Sequence, residues 1–261
     1  MHLELREVGL GSVLPPTSLA IDTGRVTVQA CPTEQGPLVL SLIAGGQMRP
    51  STGKVVPSGH GLRRPGRRLA IVDAPRLSAP DEYVSLRRAL EEELTYVGKL
   101  ATRGRVDRFL AEHDLAAYAR TPMTDLPPLV RIVALTEIAL LRPGIDGVIL
   151  TSPDRHGGSA AEYHSFLRGV AARGKAVLVI VGTSAARNLL REFPEDADRI
   201  HLAPLEADVP QELLDRIGAA DGPDPHPSPN PADPTTPAAD TDISTDISTG
   251  TADEPRKEQH P

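Results

Sequence analysis

Residues 25–46 read RVTVQACPTEQGPLVLSLIAGG, and their apolar pattern predicts a strand over residues 26–30 and a helix over residues 37–44. A buried strand that passes through a short turn into a helix is the layout of a phosphate-binding loop. The next segment, MRPSTGKV at residues 48–55, fits a short loop followed by a new strand. The order of these elements predicts the frame of a nucleotide-binding protein.

The turn inside this segment lacks the residue types that hold phosphate. The pattern G-x-x-x-x-G-K-[ST] supplies backbone N–H groups and a lysine for the phosphates, and a hydroxyl for Mg²⁺. In this chain the corresponding residues 31–38 read CPTEQGPL. Gly36 keeps one glycine of the pattern, while Pro37 and Leu38 replace the lysine and the hydroxyl. Glu34 adds a negative charge where a triphosphate would lie.

Composition limits the classes of function. The 261 residues carry a net charge of -7 and include no tryptophan, which argues against general nucleic-acid binding. The single cysteine, Cys31, excludes an internal disulfide and a cysteine-based zinc site. Residues 1–10 lack the pattern of a secretory signal, and no apolar run approaches the roughly 20 residues of a membrane span. We therefore expect a cytoplasmic protein that neither inserts into a membrane nor binds nucleic acid.

Apolar periodicity along the rest of the chain predicts an α/β fold. The second half alternates strands and helices, which favours a mainly parallel sheet with helices on its faces. Residues 83–125 have the spacing of a helical insertion. Residues 18–22 and 25–30 flank the turn signal Asp22-Thr23-Gly24, which predicts a hairpin, and Pro15 and Pro16 predict a loop before it.

Composition also predicts where the folded domain ends. We expect one domain over residues 1–218, with a short last helix near residues 211–217. Residues 219–261 are rich in Pro, Asp, Thr and Ser, and we expect them to form a disordered tail. The basic residues of segment 63–68 fit a solvated loop edge better than a site for anions or membrane headgroups.

The order of elements from residue 3 to about residue 205 resembles the ATP-binding subunit of ABC transporters. The segments that carry the resemblance are the phosphate-loop position, LIAGG (42–46), RPSTGKV (49–55), the helical insertion, VALTEIALLRPG (133–144), IDGVILTSPD (145–154) and GKAVLVIV (174–181). The resemblance implies a P-loop NTPase-like ABC cassette. Such a cassette has a mainly parallel sheet, an N-terminal antiparallel β portion and a helical insertion.

The functional motifs of that family are altered at the positions that correspond to them. Asp73 stands where the Q-loop glutamine would follow a strand, and residues 126–130 read LPPLV in place of the signature L-S-G-G-Q. Thr151 and Ser152 occupy the positions of the two Walker B carboxylates, which in the family support Mg²⁺ and polarise the attacking water. The switch histidine falls at Gly182. The phosphate loop is altered as described above.

Phosphoryl transfer depends on positioned charge around Mg²⁺ and phosphate, and these positions supply none. The leading hypothesis is a non-hydrolysing pseudo-ATPase that acts as a scaffold or regulator of a membrane partner, with no catalytic residue and no resident metal or cofactor. ATP and Mg²⁺ are implied by the resemblance alone. The resemblance also implies a permease-type membrane protein or a partner cassette, a dimer, and attachment to the inner face of the membrane through residues 73–120.

Two alternative functions stay open. One is a weakly active or ATP-binding subunit that works with a partner cassette. The other is a sensor that binds a small ligand in the crevice where the family binds nucleotide. Asp154, Arg155 and His156 follow a buried strand, where open α/β sheets place ligands, although a polar turn explains them as well. Cys31 could act as a nucleophile at a helix start, but without a histidine partner we expect it to pack in the core.

Overall fold

The apolar segments identified above form two sheets with helices around them. The computed structural model describes residues 1–32, 34–58 and 68–202. In chain order, the strands and α-helices of this part are β1 (His2–Leu10), β2 (Leu14–Asp22), β3 (Val26–Ala30), α1 (Gly36–Ala44), β4 (Thr52–Ser58), β5 (Leu69–Val72), α2 (Leu86–Tyr96), α3 (Arg103–Glu112), α4 (Pro128–Leu140), β6 (Gly147–Thr151), α5 (Ala160–Ala172), β7 (Ala176–Val181), α6 (Thr183–Glu192) and β8 (Ile200–His201). Short 3₁₀ turns cover Ala116–Tyr118, Met123–Asp125, Pro153–His156 and Pro194–Arg199.

The N-terminal portion is an antiparallel sheet with strand order β2-β1-β4. In the central strand β1, Leu3 pairs with Ile21 of β2, and Leu5 pairs with Leu19. These four side chains are buried, so the sheet covers one side of the core with its apolar face. The predicted N-terminal antiparallel portion is confirmed.

The second sheet is parallel and has the strand order β5-β6-β7-β3-β8. Every residue of β3, β5, β6 and β7 is buried, as expected for strands that have both faces covered. Residues of one face pack under α2 to α6, and residues of the other face pack against α1 and the antiparallel sheet. The predicted mainly parallel sheet is confirmed.

The hairpin predicted over residues 18–30 is wrong. β2 pairs with β1, whereas β3 pairs in parallel with β7 and β8. The turn signal is real, since Gly24 adopts a φ of 82°, but the turn takes the chain from one sheet into the other. The Gly24 backbone N–H donates to the Lys175 carbonyl at 2.9 Å, beside β7. Pro15 and Pro16 lie within β2, an edge strand of its sheet, where a missing N–H is tolerated.

Helices α2 and α3 lie within the segment predicted to be a helical insertion. Leu86, Leu90 and Leu94 recur at helical spacing on α2 and are buried. The Ser85 Oγ accepts a hydrogen bond from the Arg88 backbone N–H at 3.4 Å, so Ser85 is the predicted N-cap. Helix α3 adds a buried Phe109 to the same apolar cluster.

Three predicted features lie outside the described residues: most of the basic segment 63–68, the helix at residues 211–217 and the tail at residues 219–261. Within the described ranges, the helices are too short or too polar to cross a bilayer.

Candidate functional site

The positions singled out in the sequence lie along one edge of the parallel sheet, where its strands end. Ladder pairing places Ala30 beside Val181 and Thr151 beside Ile180, while β5 ends at Val72 next to β6. The loops that follow β3, β5, β6 and β7 therefore begin side by side. Open α/β sheets bind their ligands at this edge.

The loop between β3 and α1 carries no cationic side chain. Residues 31–38 include neither lysine nor arginine, and Glu34 is exposed. Gly36 begins α1, and Pro37 occupies the first turn of that helix. Leu38 packs against the apolar cluster under the antiparallel sheet. An anion at this loop would meet a carboxylate and find no charged donor.

Cys31 lies at the start of this loop and is buried, with 5% of its surface exposed. It belongs to the apolar cluster between the two sheets, and its backbone N–H donates to the Val181 carbonyl at 2.8 Å. A thiol among apolar side chains lacks the electropositive setting that activates cysteine. This position supports the packing interpretation.

Thr151, which the sequence order assigns to the position of the first Walker B carboxylate, pairs with another hydroxyl group. Thr151 Oγ1 and Ser41 Oγ, both buried, lie 2.7 Å apart. The Ser41 hydroxyl also donates to the Pro37 carbonyl at 2.8 Å, which leaves the Thr151 hydroxyl to donate to Ser41. Ser152 follows with a φ of 50°, held by a hydrogen bond from its N–H to the Ile180 carbonyl at 2.8 Å. These neutral groups bind one another and carry no formal charge.

Asp154 turns away from this pair toward β7. Its Oδ2 accepts a hydrogen bond from the Gly182 N–H at 2.9 Å. A Cβ atom at residue 182 would lie 3.0 Å from the same oxygen, so a histidine side chain would require Asp154 to shift. The Asp154 Oδ1 and the Tyr163 hydroxyl are buried without a partner among the described residues. Burial, and then the charge of Asp154, raises the pKa of the Tyr163 hydroxyl.

Asp73 is the centre of a buried ionic cluster. Arg131 on α4 binds this carboxylate in a bidentate manner: its Nε donates to one oxygen at 3.1 Å and its Nη2 to the other at 2.7 Å. Arg155 reaches the same carboxylate at 3.0 Å, and His156 Nε2 donates to it at 2.9 Å. Arg131 also donates to the Met123 carbonyl at 2.8 Å. We call these four charged or titratable residues, Asp73, Arg131, Arg155 and His156, the Asp73 cluster.

The Asp73 cluster keeps its carboxyl group ionised. Burial alone would raise the pKa of Asp73, but hydrogen bonds from His156 and Arg131, and the charges of Arg131 and Arg155, lower it below its ordinary value. Asp73 also has a φ of 55°, which is unfavourable for a residue with a Cβ. The ionic contacts therefore hold a strained backbone in place between β5 and α2.

The glutamates of residues 91–93 form ion pairs with two arginines. Glu91 and Glu92 contact Arg88, and Glu93 binds Arg142 through two hydrogen bonds. Residues this close together on a helix point in different directions, as the sequence indicated. In the described part of the chain, no group of three His, Cys, Asp or Glu side chains could hold a metal ion.

Sequence reasoning missed the roles of Arg131 and Ser41. Arg131 is one charged residue within the apolar run PLVRIVAL, and a buried arginine needs a carboxylate partner, so this signal was present in the sequence. Its partner lies 58 residues away, and Thr151 lies 110 residues from Ser41. No local spacing predicts such pairs.

Comparison with known proteins gives results for structure but not for sequence. No protein-family model matches the chain, and no curated protein matches it. Among solved structures, an ATP-binding cassette of an ABC transporter is similar, with a TM-score of 0.52, 14% identity, and coverage of 69% of this chain and 81% of that chain. A bacterial ABC transporter cassette described as dimeric has a TM-score of 0.51 and 18% identity over 71% of this chain and 90% of that chain.

A third structure agrees with these two. It is an ATP-binding protein assigned to ABC transporters, from Pyrococcus furiosus, with a TM-score of 0.50, 13% identity, and coverage of 70% of this chain and 92% of that chain. The chain has the fold of an ABC-transporter ATP-binding cassette. This ABC-cassette fold accounts for the parallel sheet, the antiparallel portion and the helices between β5 and β6.

Proposed function

We propose that this chain is a non-hydrolysing ABC-type subunit that acts as a scaffold or regulator of a membrane partner. The observation that carries the proposal is the buried hydroxyl pair of Ser41 and Thr151, at 2.7 Å. By the resemblance in sequence order, Thr151 corresponds to the residue that supplies a carboxylate for Mg²⁺ in a cassette. Magnesium prefers carboxylate and phosphate oxygens and keeps several bound waters. The two hydroxyl groups are neutral and form a hydrogen bond with each other.

The phosphate side of the crevice supports the same proposal. Residues 31–38 place the Glu34 carboxylate and no cation at the loop, so a triphosphate would be repelled rather than held. Gly182, at the switch position, donates its N–H to Asp154, and the space for a larger side chain is limited. These residues do not fit Mg²⁺-ATP.

The segment after β5 supports a role in binding a partner. Among the described residues, the large apolar side chains that are most exposed are Leu77, Tyr83, Tyr96, Leu100 and Leu202. Four of these five lie in residues 73–120, the candidate contact surface. Exposed apolar side chains that gather on one segment indicate an interaction site more than scattered ones do.

A partner of this chain is therefore a permease-type membrane protein or another cassette, and the chain works at the cytoplasmic face of the membrane through that partner. The Asp73 cluster supports a scaffold in which the contact segment is fixed. Asp73 joins the start of the segment to α4 and to the turn after β6 through Arg131, Arg155 and His156. A fixed contact surface binds a partner without the cycle that ATP hydrolysis would drive.

Phosphate release from Mg²⁺-ATP tests the proposal, with an active ABC cassette assayed in parallel. We expect no release above background. If release is seen, the Thr151→Val variant separates two causes: a contaminating ATPase would leave the rate unchanged, whereas turnover by this chain would fall. A rate that falls with Thr151→Val would contradict the proposal and favour a weakly active subunit that uses divergent residues.

A further inference from the structure

A cavity of about 500 Å³ lies beside the Asp73 cluster and away from the phosphate-loop position. Its walls come from four places: the segment after β5, Thr124 just before α4, Arg131 on α4, and the turn after β6. No residue of segment 31–38 lines it. A ligand in this cavity would therefore contact the Asp73 cluster and not the phosphate-loop position.

The inner wall of the cavity is cationic. Arg131, Arg155 and His156 line it, and Arg131 is only 4% exposed. All three share the single carboxylate of Asp73. The described contacts use three of the five N–H donors of Arg131 and two of the five of Arg155. The remaining donors can bind a second oxyanion.

In this wall two guanidinium groups, of Arg131 and Arg155, share the single carboxylate of Asp73. Burial lowers the pKa of Arg155, and the neighbouring charge of Arg131 lowers it further, while Asp73 and Asp154 act in the opposite direction. Arg76 adds a third guanidinium at the edge of the cavity and forms no ion pair with any described residue. An anion between these groups would reduce their mutual repulsion.

The mouth of the cavity has the opposite character. Asp81, Glu82 and Tyr83 line it and are exposed, and neither carboxylate forms an ion pair with a described residue. Cationic donors inside and carboxylates at the mouth match a molecule with a negative and a positive end. A dianion would gain from the inner wall but would be repelled at the mouth.

We propose that this cavity binds a small zwitterion, with its oxyanion, a carboxylate or a phosphate, against Arg131 and Arg155 and its ammonium group toward Asp81 and Glu82. The proposal does not depend on whether the chain hydrolyses ATP. Arg76 has a φ of 60° and Asp73 a φ of 55°, so the loop that forms one wall is strained. Such strain is typical of loops that bind ligands.

Calorimetric titration of the full chain tests this site. The probes are γ-aminobutyrate for the carboxylate, O-phosphoethanolamine for the phosphate, and ethylamine as the control without an oxyanion. We expect one of the first two to bind with a Kd below about 1 mM, and ethylamine not to bind. Arg155→Gln should weaken binding at least about tenfold, because a charge-assisted hydrogen bond is lost. Arg108→Gln, at an exposed arginine of α3 outside the cavity, should leave it unchanged.

Several results would overturn the site. These are no saturable binding of either zwitterion, equal binding by ethylamine, or unchanged affinity in Arg155→Gln. Displacement of the probe by Mg²⁺-ATP would place the ligand in the nucleotide crevice instead. If Arg155→Gln loses its circular dichroism melting transition, the exposed Arg76→Gln variant gives the same test without touching the Asp73 cluster.

Discussion

Asp73 is the shared anion of a buried ionic cluster. Its carboxylate is buried and has three cationic or titratable partners, so removing its charge leaves Arg131 buried without a counterion. We expect Asp73→Asn to lower the free energy of unfolding by about 3 kcal/mol, measured by urea denaturation. The control is Asp107→Asn, which removes an exposed contact with Arg87 and should cost less than about 1 kcal/mol. Equal effects of the two variants would contradict the importance of the cluster.

The same residue predicts a pH dependence. The pKa of Asp73 is lower in the folded chain than its ordinary value of about 4, so its ion pairs contribute fully above that value. As the pH falls below about 4, through the folded pKa, this contribution is lost. We expect the difference in unfolding free energy between wild type and Asp73→Asn to stay constant from neutral pH to about 5 and to narrow toward pH 3. If the difference in unfolding free energy between the two proteins instead widened on acidification, it would contradict the lowered pKa of Asp73.

At the scale of elements, the exposed apolar side chains after β5 predict where a partner binds. Leu77→Ser with Leu100→Ser should leave the melting temperature within a few degrees of wild type, since both side chains are exposed. The same double variant should reduce co-sedimentation with membranes that contain the partner by about tenfold. Leu202→Ser, an exposed leucine outside residues 73–120, is the matched control. If co-sedimentation fell equally in the double variant and the control, or fell in neither, residues 73–120 would be excluded as the partner-binding surface.

Local pattern predicted most of the elements because apolar spacing is a local property. The strand at Leu69–Val72 and the helix that carries Leu86, Leu90 and Leu94 lie where their periodicity placed them. The pairing of strands was predicted less well. The turn after Asp22 fitted a hairpin, but β3 gains more from a buried place between β7 and β8 than from pairing with an edge strand. That competition involves residues about 150 positions away, which no local signal contains.

In the candidate site too, local features could be predicted from the sequence and long-range contacts could not. The positions of Asp73, Thr151 and Gly182 at the ends of strands followed from the order of elements. Their contacts did not, because the Ser41–Thr151 hydrogen bond and the Asp73–Arg131 ion pair join distant parts of the sequence. The prediction that functional charges are missing at these positions stays a prediction, and the structure adds the contacts that these residues make.

At the scale of the whole molecule, the chain has the ABC-cassette fold, and we propose that its crevice does not hold Mg²⁺-ATP, because the predicted nucleotide and Mg²⁺ positions carry neutral or acidic groups. Under this proposal, an ABC-cassette fold serves as a binding scaffold without phosphate chemistry.

Equilibrium binding of Mg²⁺-ATP to the purified chain, measured by calorimetry, tests the central claim most directly. The loop has no lysine, and position 151 is a threonine and not a carboxylate residue. We therefore predict no saturable binding at nucleotide concentrations up to about 1 mM. The active cassette used in the phosphate-release assay serves as the positive control. Binding with a Kd of about 1 µM would contradict the account, because it would require charged contacts to the phosphates that residues 31–38 and 151–152 do not provide.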